Sequence, residues 1–170
     1  MKNKEIERKF IVNESEIPFD LKNMSYQDIV QGYITSNEND LVFRLRNVLY
    51  RNKNGEPIGE EFFKTIKSLG TKVRDEYEIR LLRDQFGVMW KLYDKLSLHK
   101  VRYDPPCEGA KKMDLDCFKS DLRGLWIVEI EFETIEECDN YVPLKWFGKE
   151  VTEDVRYSNL QLVLNGIPKD

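Results

Sequence analysis

Apolar side chains recur at every second position in eight stretches of this 170-residue chain. A period of two gives a single apolar face only in an extended strand, so the pattern excludes a helical bundle before any other feature is weighed. The stretches are Glu5–Val12, Asp28–Thr35, Leu41–Leu49, Glu61–Leu69, Arg74–Leu82, Leu96–Asp104, Lys112–Phe118 and Leu125–Glu133. No repeat, low-complexity tract or Pro/Gly/Ser linker interrupts them, and the length suits one domain over residues 1–170. Between the third and fourth stretches stands Asn54-Gly55, a dipeptide that accepts positive φ and favours a hairpin. Helical spacing appears only in the gaps and near the end. Phe86, Met89, Trp90 and Tyr93 follow a candidate cap at Asp84, Thr134 and Glu137 form a capping-box pattern, and Ser158 to Gly166 closes on a C-terminal stop. The predicted class is α+β.

The residues between the apolar ones are charged, and each stretch carries mainly one sign. Glu5, Glu7 and Lys9 alternate with Ile6 and Phe10; Arg44 and Arg46 with Phe43 and Leu45; Glu76 and Glu78 with Tyr77 and Ile79. Lys100 and Arg102 flank Val101, Asp114 and Asp116 flank Leu115, Glu129 and Glu131 flank Ile130, and Lys67 stands in the fourth stretch. Any one doublet is what the solvent face of an antiparallel sheet presents. At these positions the Thr, Ser and Gln usual on such a face are nearly absent. Eight strands can also close into a barrel wide enough for one small ligand, with the charged face as its lining and the apolar face packed outward under the helices. Six cations, Lys9, Arg44, Arg46, Lys67, Lys100 and Arg102, would clamp a compact polyanion such as triphosphate. The carboxylates would repel it unless bridged by a hard cation, Mg²⁺ or Mn²⁺.

Composition narrows the chemistry further. Hydrophobic residues make up 41% and charged residues 34%, no apolar run reaches a transmembrane length, and no signal peptide precedes the first strand, so a cytoplasmic protein without a membrane partner is expected. The net charge of −4 gives no global pull towards nucleic acid. Three cysteines, Cys107, Cys117 and Cys138, form no C-x-x-C pair, which argues for reduced thiols rather than disulfides or thiolate zinc. The single histidine, His99, has the parity opposite to Lys100 and Arg102 and should point away from the lining. Trp90, Trp126 and Trp146 read as packing residues, and Cys117 as facing the apolar layer. Tyr33 has two readings: a packing tyrosine, or, beside Lys67, half of a desolvated pair that positions or deprotonates water.

The ordered blocks Glu5-Ile6-Glu7-Arg8-Lys9-Phe10, Gln31-Gly32-Tyr33, Phe43-Arg44-Leu45-Arg46, Thr65-Ile66-Lys67, Glu76-Tyr77-Glu78, Lys100-Val101-Arg102-Tyr103, Asp114-Leu115-Asp116, Val128-Glu129-Ile130-Glu131-Phe132 and the run from Gly148 to Asn159 resemble the CYTH superfamily, the triphosphate tunnel metalloenzymes, over essentially the whole chain. The resemblance implies an antiparallel eight-stranded tunnel with flanking helices and a metal-dependent phosphohydrolase. It implies that Lys9, Arg44, Arg46, Lys67, Lys100 and Arg102 hold phosphate oxygens, that Glu5, Glu7, Glu129 and Glu131 hold metal, and that Glu76, Glu78 and Asp116 stand beside them. Relatives often read D-K-R-Y near the C-terminus; here the run is Asp154-Val155-Arg156-Tyr157, which leaves open whether Arg156, a candidate for holding phosphate, replaces the missing lysine. The expected reaction is hydrolysis of inorganic tripolyphosphate, with Lys67, Tyr33, Arg44 and Arg46 at the chemistry. The alternatives are a class IV-type adenylyl cyclase, a thiamine triphosphatase, or a polyphosphate-binding module without turnover. A small triphosphate is the expected partner, and the oligomeric state, homodimer included, is left open.

Overall fold

In a computed structural model, which describes residues 2–35, 41–68 and 72–169, eight antiparallel strands close into a barrel in the order β1-β5-β4-β3-β2-β6-β7-β8. The strands are β1 (Lys2–Ile11), β2 (Tyr26–Thr35), β3 (Leu41–Arg51), β4 (Pro57–Ser68), β5 (Val73–Leu81), β6 (Ser97–Tyr103), β7 (Lys112–Phe118) and β8 (Trp126–Glu131). Each coincides with one of the eight alternating stretches to within a few residues at its ends; the expected end of the fourth at Leu69 lies outside the described residues. β1 closes the ring by changing partners, Lys2–Ile6 pairing with β5 and Glu7–Ile11 with β8.

The β3–β4 hairpin turns where Asn54-Gly55 predicts. Gly55 has φ +83°, and the Asn52 side chain accepts from the backbone N–H of Asn54 and Glu56, an Asx turn that fixes the reversal. Helix α1 (Arg83–Tyr93) lies over β2, β3 and β4, with Phe86 stacked on Trp90 and tilted against Phe62. Its N-cap is Leu82 rather than Asp84; the Gln85 side chain accepts from the Leu82 N–H and so satisfies one of the helix's orphan donors. Gly32 lets the helix end come close, because a Cβ there would sit 2.3 Å from the Tyr93 carbonyl oxygen. Helix α2 (Ile135–Asn140) carries the expected capping box from Thr134 and Glu137, and α3 (Asn159–Asn165) starts at Ser158, which accepts from Gln161 N–H, and stops at Gly166. No helix among the described residues is long and apolar enough to cross a membrane.

Among the described residues one apolar cluster lies outside the barrel and another inside. Outside, Ile6, Phe10, Met113, Leu115, Val128, Ile130 and Phe132 pack under α2 and the segment holding Trp146 and Phe147. α1 covers the outer face of β2, β3 and β4, but on β5 Tyr77 and Ile79 are exposed, which limits to part of the ring the expectation that helices cover the apolar side. Inside, Tyr33, Leu98, Phe118, Ile127, Val151, Tyr157 and Leu162 fill one end of the barrel, so α3 and the chain leading into it close that end.

Candidate functional site

The charged face of every strand but β2 turns inward. Lys9, Arg44, Arg46, Lys67, Lys100, Arg102, Glu5, Glu7, Glu76, Glu129, Glu131 and Tyr33 all line one cavity of about 520 Å³, together with Lys112, Asp114 and residues of the 151–161 segment. That segment reaches the cavity because it follows β1: Gly148 N–H donates to the Ile11 carbonyl (3.0 Å), Val151 N–H to the Lys9 carbonyl (2.8 Å), and Lys9 N–H to Thr152 Oγ1 (3.0 Å). The lining holds seven basic and seven acidic side chains, so its signs balance.

Ion pairs knit the wall. Lys9 Nζ lies 2.5 Å from Glu129 and 3.1 Å from Glu7. Lys67 bonds Glu5 (2.8 Å) and Glu76 (2.6 Å). Arg102 reaches Asp114 (2.5 Å), Asp116 (2.6 Å) and Glu129 (2.8 Å), and Lys100 donates to Asp116 at 2.5 Å. Arg44 and Arg46 share one oxygen of Glu78, at 3.4 and 3.1 Å. Burial sets the energetics. Taking Glu129 out of water works against its charge, but Lys9, Lys100 and Arg102 outweigh that and hold the carboxyl well below the usual range. Burial opposes the Arg102 charge too, and Asp116 and Asp114 more than compensate. Lys100, a buried member of the wall, is pushed down to about 8 by burial and then by Arg102, and Arg46 to about 10 by burial and then by Arg44.

Three expected site residues lie elsewhere. Glu78 and Asp116, expected beside the metal, are not on the cavity wall; Asp116 is fully buried with both oxygens engaged by Lys100 and Arg102. Arg156 is exposed and bonds Asp154, whose own carboxylate is on the wall, because Val155–Tyr157 forms a 3-10 turn that directs the guanidinium back onto its cap. Of the two readings of Tyr33, the pairing with Lys67 has no hydrogen bond to carry it among the described residues. The Tyr33 hydroxyl accepts from Gln31 Nε2 (2.6 Å), Lys67 is taken up by two glutamates, and burial pushes the phenol up to about 12, which keeps it protonated. His99 is outside the barrel with Asp28 at 2.5 Å, as its parity requires.

Sequence reasoning assigned no role to Gln31, Thr65, Lys112, Asp114 or Thr152. Thr65 and Asp114 share the inward parity of Lys67 and Asp116, a signal that was present; Thr152 sits in a non-repeating segment whose position only the fold determines.

The arrangement can hold a polyanion. The buried Nε–H of Arg44 and of Arg46 has no partner among the described residues. A buried donor left unmatched costs about 1–3 kcal/mol, a cost that an anion oxygen in the cavity would remove. For a cation the donor chemistry is suitable, since Glu7 faces Glu131 and Glu129 faces Asp114 directly across adjacent strands, all hard oxygen ligands. No trio of metal-ligating side chains converges among the described residues, because each carboxylate leans towards a neighbouring cation.

No family model matches the chain. It is 35% identical over 161 residues to an inorganic triphosphatase of Nitrosomonas europaea, covering 95% of this chain and 97% of that one. It is 32% identical to an inorganic triphosphatase of Acetivibrio thermocellus, covering 95% and 94%. A crystal structure of an inorganic triphosphatase superposes with a TM-score of 0.63 at 34% identity over 97% of both chains.

Proposed function

Because the chain belongs to the inorganic triphosphatase family, we propose that it hydrolyses inorganic tripolyphosphate to pyrophosphate and phosphate inside the barrel, assisted by Mg²⁺ or Mn²⁺, as a member of the CYTH superfamily. The observation that carries this is the pair of unmatched guanidinium donors beside a cavity lined by cations from five of the eight strands. Such a cavity is matched to an anion with many oxygens and little else.

Arg44, Arg46 and Lys67 line the β3–β4 side, while Lys9, Lys100 and Arg102 line the side of β1 and β6. A linear triphosphate between them trades the wall's carboxylate partners for its own oxygens, and the clamps tighten as charge builds on the departing group. Glu7 and Glu131, with Glu129, Asp114 and Glu5 nearby on the same lining, would hold the divalent cation. When bound there, the cation supplies neutralisation of phosphate oxygens and a polarised water. Tyr33, protonated at any physiological pH, donates a hydrogen bond to substrate, and Lys67 between Glu5 and Glu76 stands at the chemistry as a cation.

Purified protein assayed with tripolyphosphate, ATP and thiamine triphosphate, with phosphate and cyclic AMP both measured, tests the reading. Phosphate should appear from tripolyphosphate with Mg²⁺ or Mn²⁺ and vanish in chelator. Cyclic AMP as the main product, or tight triphosphate binding with no turnover under any metal, would replace the reading with a cyclase or a binding module.

A further inference from the structure

The acidic doublets of β5 and β7 are split by the fold into two kinds of carboxylate. Glu76 and Asp114 are on the cavity wall; Glu78 and Asp116, two residues further along the same strands, are not. Each of the latter joins two cations of one neighbouring basic doublet. Glu78 Oε2 receives Arg44 (3.4 Å), Arg46 (3.1 Å) and the Thr65 hydroxyl (2.8 Å). Asp116 receives Lys100 (2.5 Å) through one oxygen and Arg102 through both, at 2.7 and 2.6 Å.

Strand register makes this repeat. Arg44, Thr65 and Glu78 stand in one row across β3, β4 and β5, and Arg102 stands directly opposite Asp116 across β6 and β7. A residue two positions along a strand returns to the same face, so one carboxylate reaches both members of an i, i+2 basic pair. Left to themselves, two guanidiniums side by side repel, and buried ones do so with little screening. A shared anion behind them holds both heads at the wall.

We infer that Glu78 and Asp116 are positioning residues that brace the paired cations Arg44/Arg46 and Lys100/Arg102 for the substrate anion, and that neither is a metal ligand. This rests on the triphosphatase reading for the identity of the anion. The inference predicts a sign opposite to simple electrostatics: removing a negative charge near an anion site should tighten anion binding, whereas removing a brace should weaken it.

The test uses Glu78→Gln and Thr65→Val, the second removing, without changing charge, the hydroxyl that donates to Glu78 (2.8 Å) and accepts from Arg44 (3.1 Å), each shown to be folded by circular dichroism and thermal melting. Calorimetric titration with tripolyphosphate in chelator should show Kd raised about fivefold to fiftyfold for Glu78→Gln, with a smaller rise for Thr65→Val. Titration with Mn²⁺ alone should give Glu78→Gln the parent's affinity, while Glu7→Gln loses about tenfold or more. Tripolyphosphate binding that is unchanged or tighter in Glu78→Gln would overturn the brace, as would a loss of Mn²⁺ affinity equal to that of Glu7→Gln. A parent that binds no tripolyphosphate in chelator would overturn it too, since braced cations should hold the anion without metal. Turnover enters none of these readings, so a parent that binds tripolyphosphate yet fails to hydrolyse it would sink the proposed function and leave the brace standing.

Discussion

Tyr33 shows how a single side chain's role is set by what surrounds its polar atom. Its hydroxyl is buried, accepts from Gln31, and has its pKa pushed up to about 12 by burial, so it keeps its proton across the range in which an enzyme is assayed. Tyr33→Phe should therefore lower kcat/KM by about tenfold, the worth of one lost hydrogen bond to a charged partner, without moving either limb of the pH profile between roughly pH 6 and 10. A limb that disappears in the variant would make Tyr33 a titrating base after all. His99 belongs to the same measurement: it pairs with Asp28 on the outer surface, and His99→Gln should leave the profile unchanged. Arg44→Ala or Arg46→Ala should cost about tenfold to a thousandfold in kcat/KM, since each removes a clamp whose partner charge grows in the transition state.

At the scale of elements, strand parity governs the site and helix packing protects it. α1 seals the β2–β4 flank only because Gly32 leaves room for the backbone at Tyr93. Gly32→Ala should destabilise the fold by about 1–3 kcal/mol, read as a lower urea midpoint with an unchanged m-value, because an added methyl meets a backbone carbonyl that cannot rotate away. An unchanged midpoint would mean that α1 shifts without cost. Parity in β1, β3, β5, β6, β7 and β8 was legible from the alternation itself: every inward doublet member is either on the wall or directly behind it. Depth along the strand was not legible. Glu76 and Glu78 look alike in sequence, and only the register with Lys67 on one hand and Thr65 on the other separates them.

For the whole molecule, the ring of strands is closed around ion pairs that water barely reaches. Glu129 and Asp116 have their carboxyl pKa values held down: burial opposes their charge, but Lys9 and Lys100 around Glu129, and Arg102 and Lys100 around Asp116, outweigh it. With a depressed folded value the unfolded chain binds more protons, so their contribution is complete above the ordinary carboxylate range and is lost as pH falls through the lower folded value. Asp114, raised by burial, works the other way. Thermal melts taken from about pH 7 down to about pH 2 should show the midpoint falling below roughly pH 4, with added salt restoring little because buried pairs are weakly screened. A midpoint flat through that range would show that the network contributes no net stability.

The alternation of Ile6, Phe10, Leu45, Leu115 and Ile130 with Glu, Lys, Arg and Asp determined by itself that the chain forms strands and which side of each strand carries charge, because that follows from local backbone geometry. Whether the charged side faces water or a cavity depended on ring closure, and closure depends on β1 pairing with both β5 and β8, partners far away along the chain. The same holds for the wall itself. Thr152, Asp154 and Tyr157 reach the cavity because residues 148–152 run beside β1, while Arg156 is turned back onto Asp154. No periodicity encodes such placements: they are settled by contacts between segments more than a hundred residues apart, where packing and hydrogen bonding decide which polar groups share a wall.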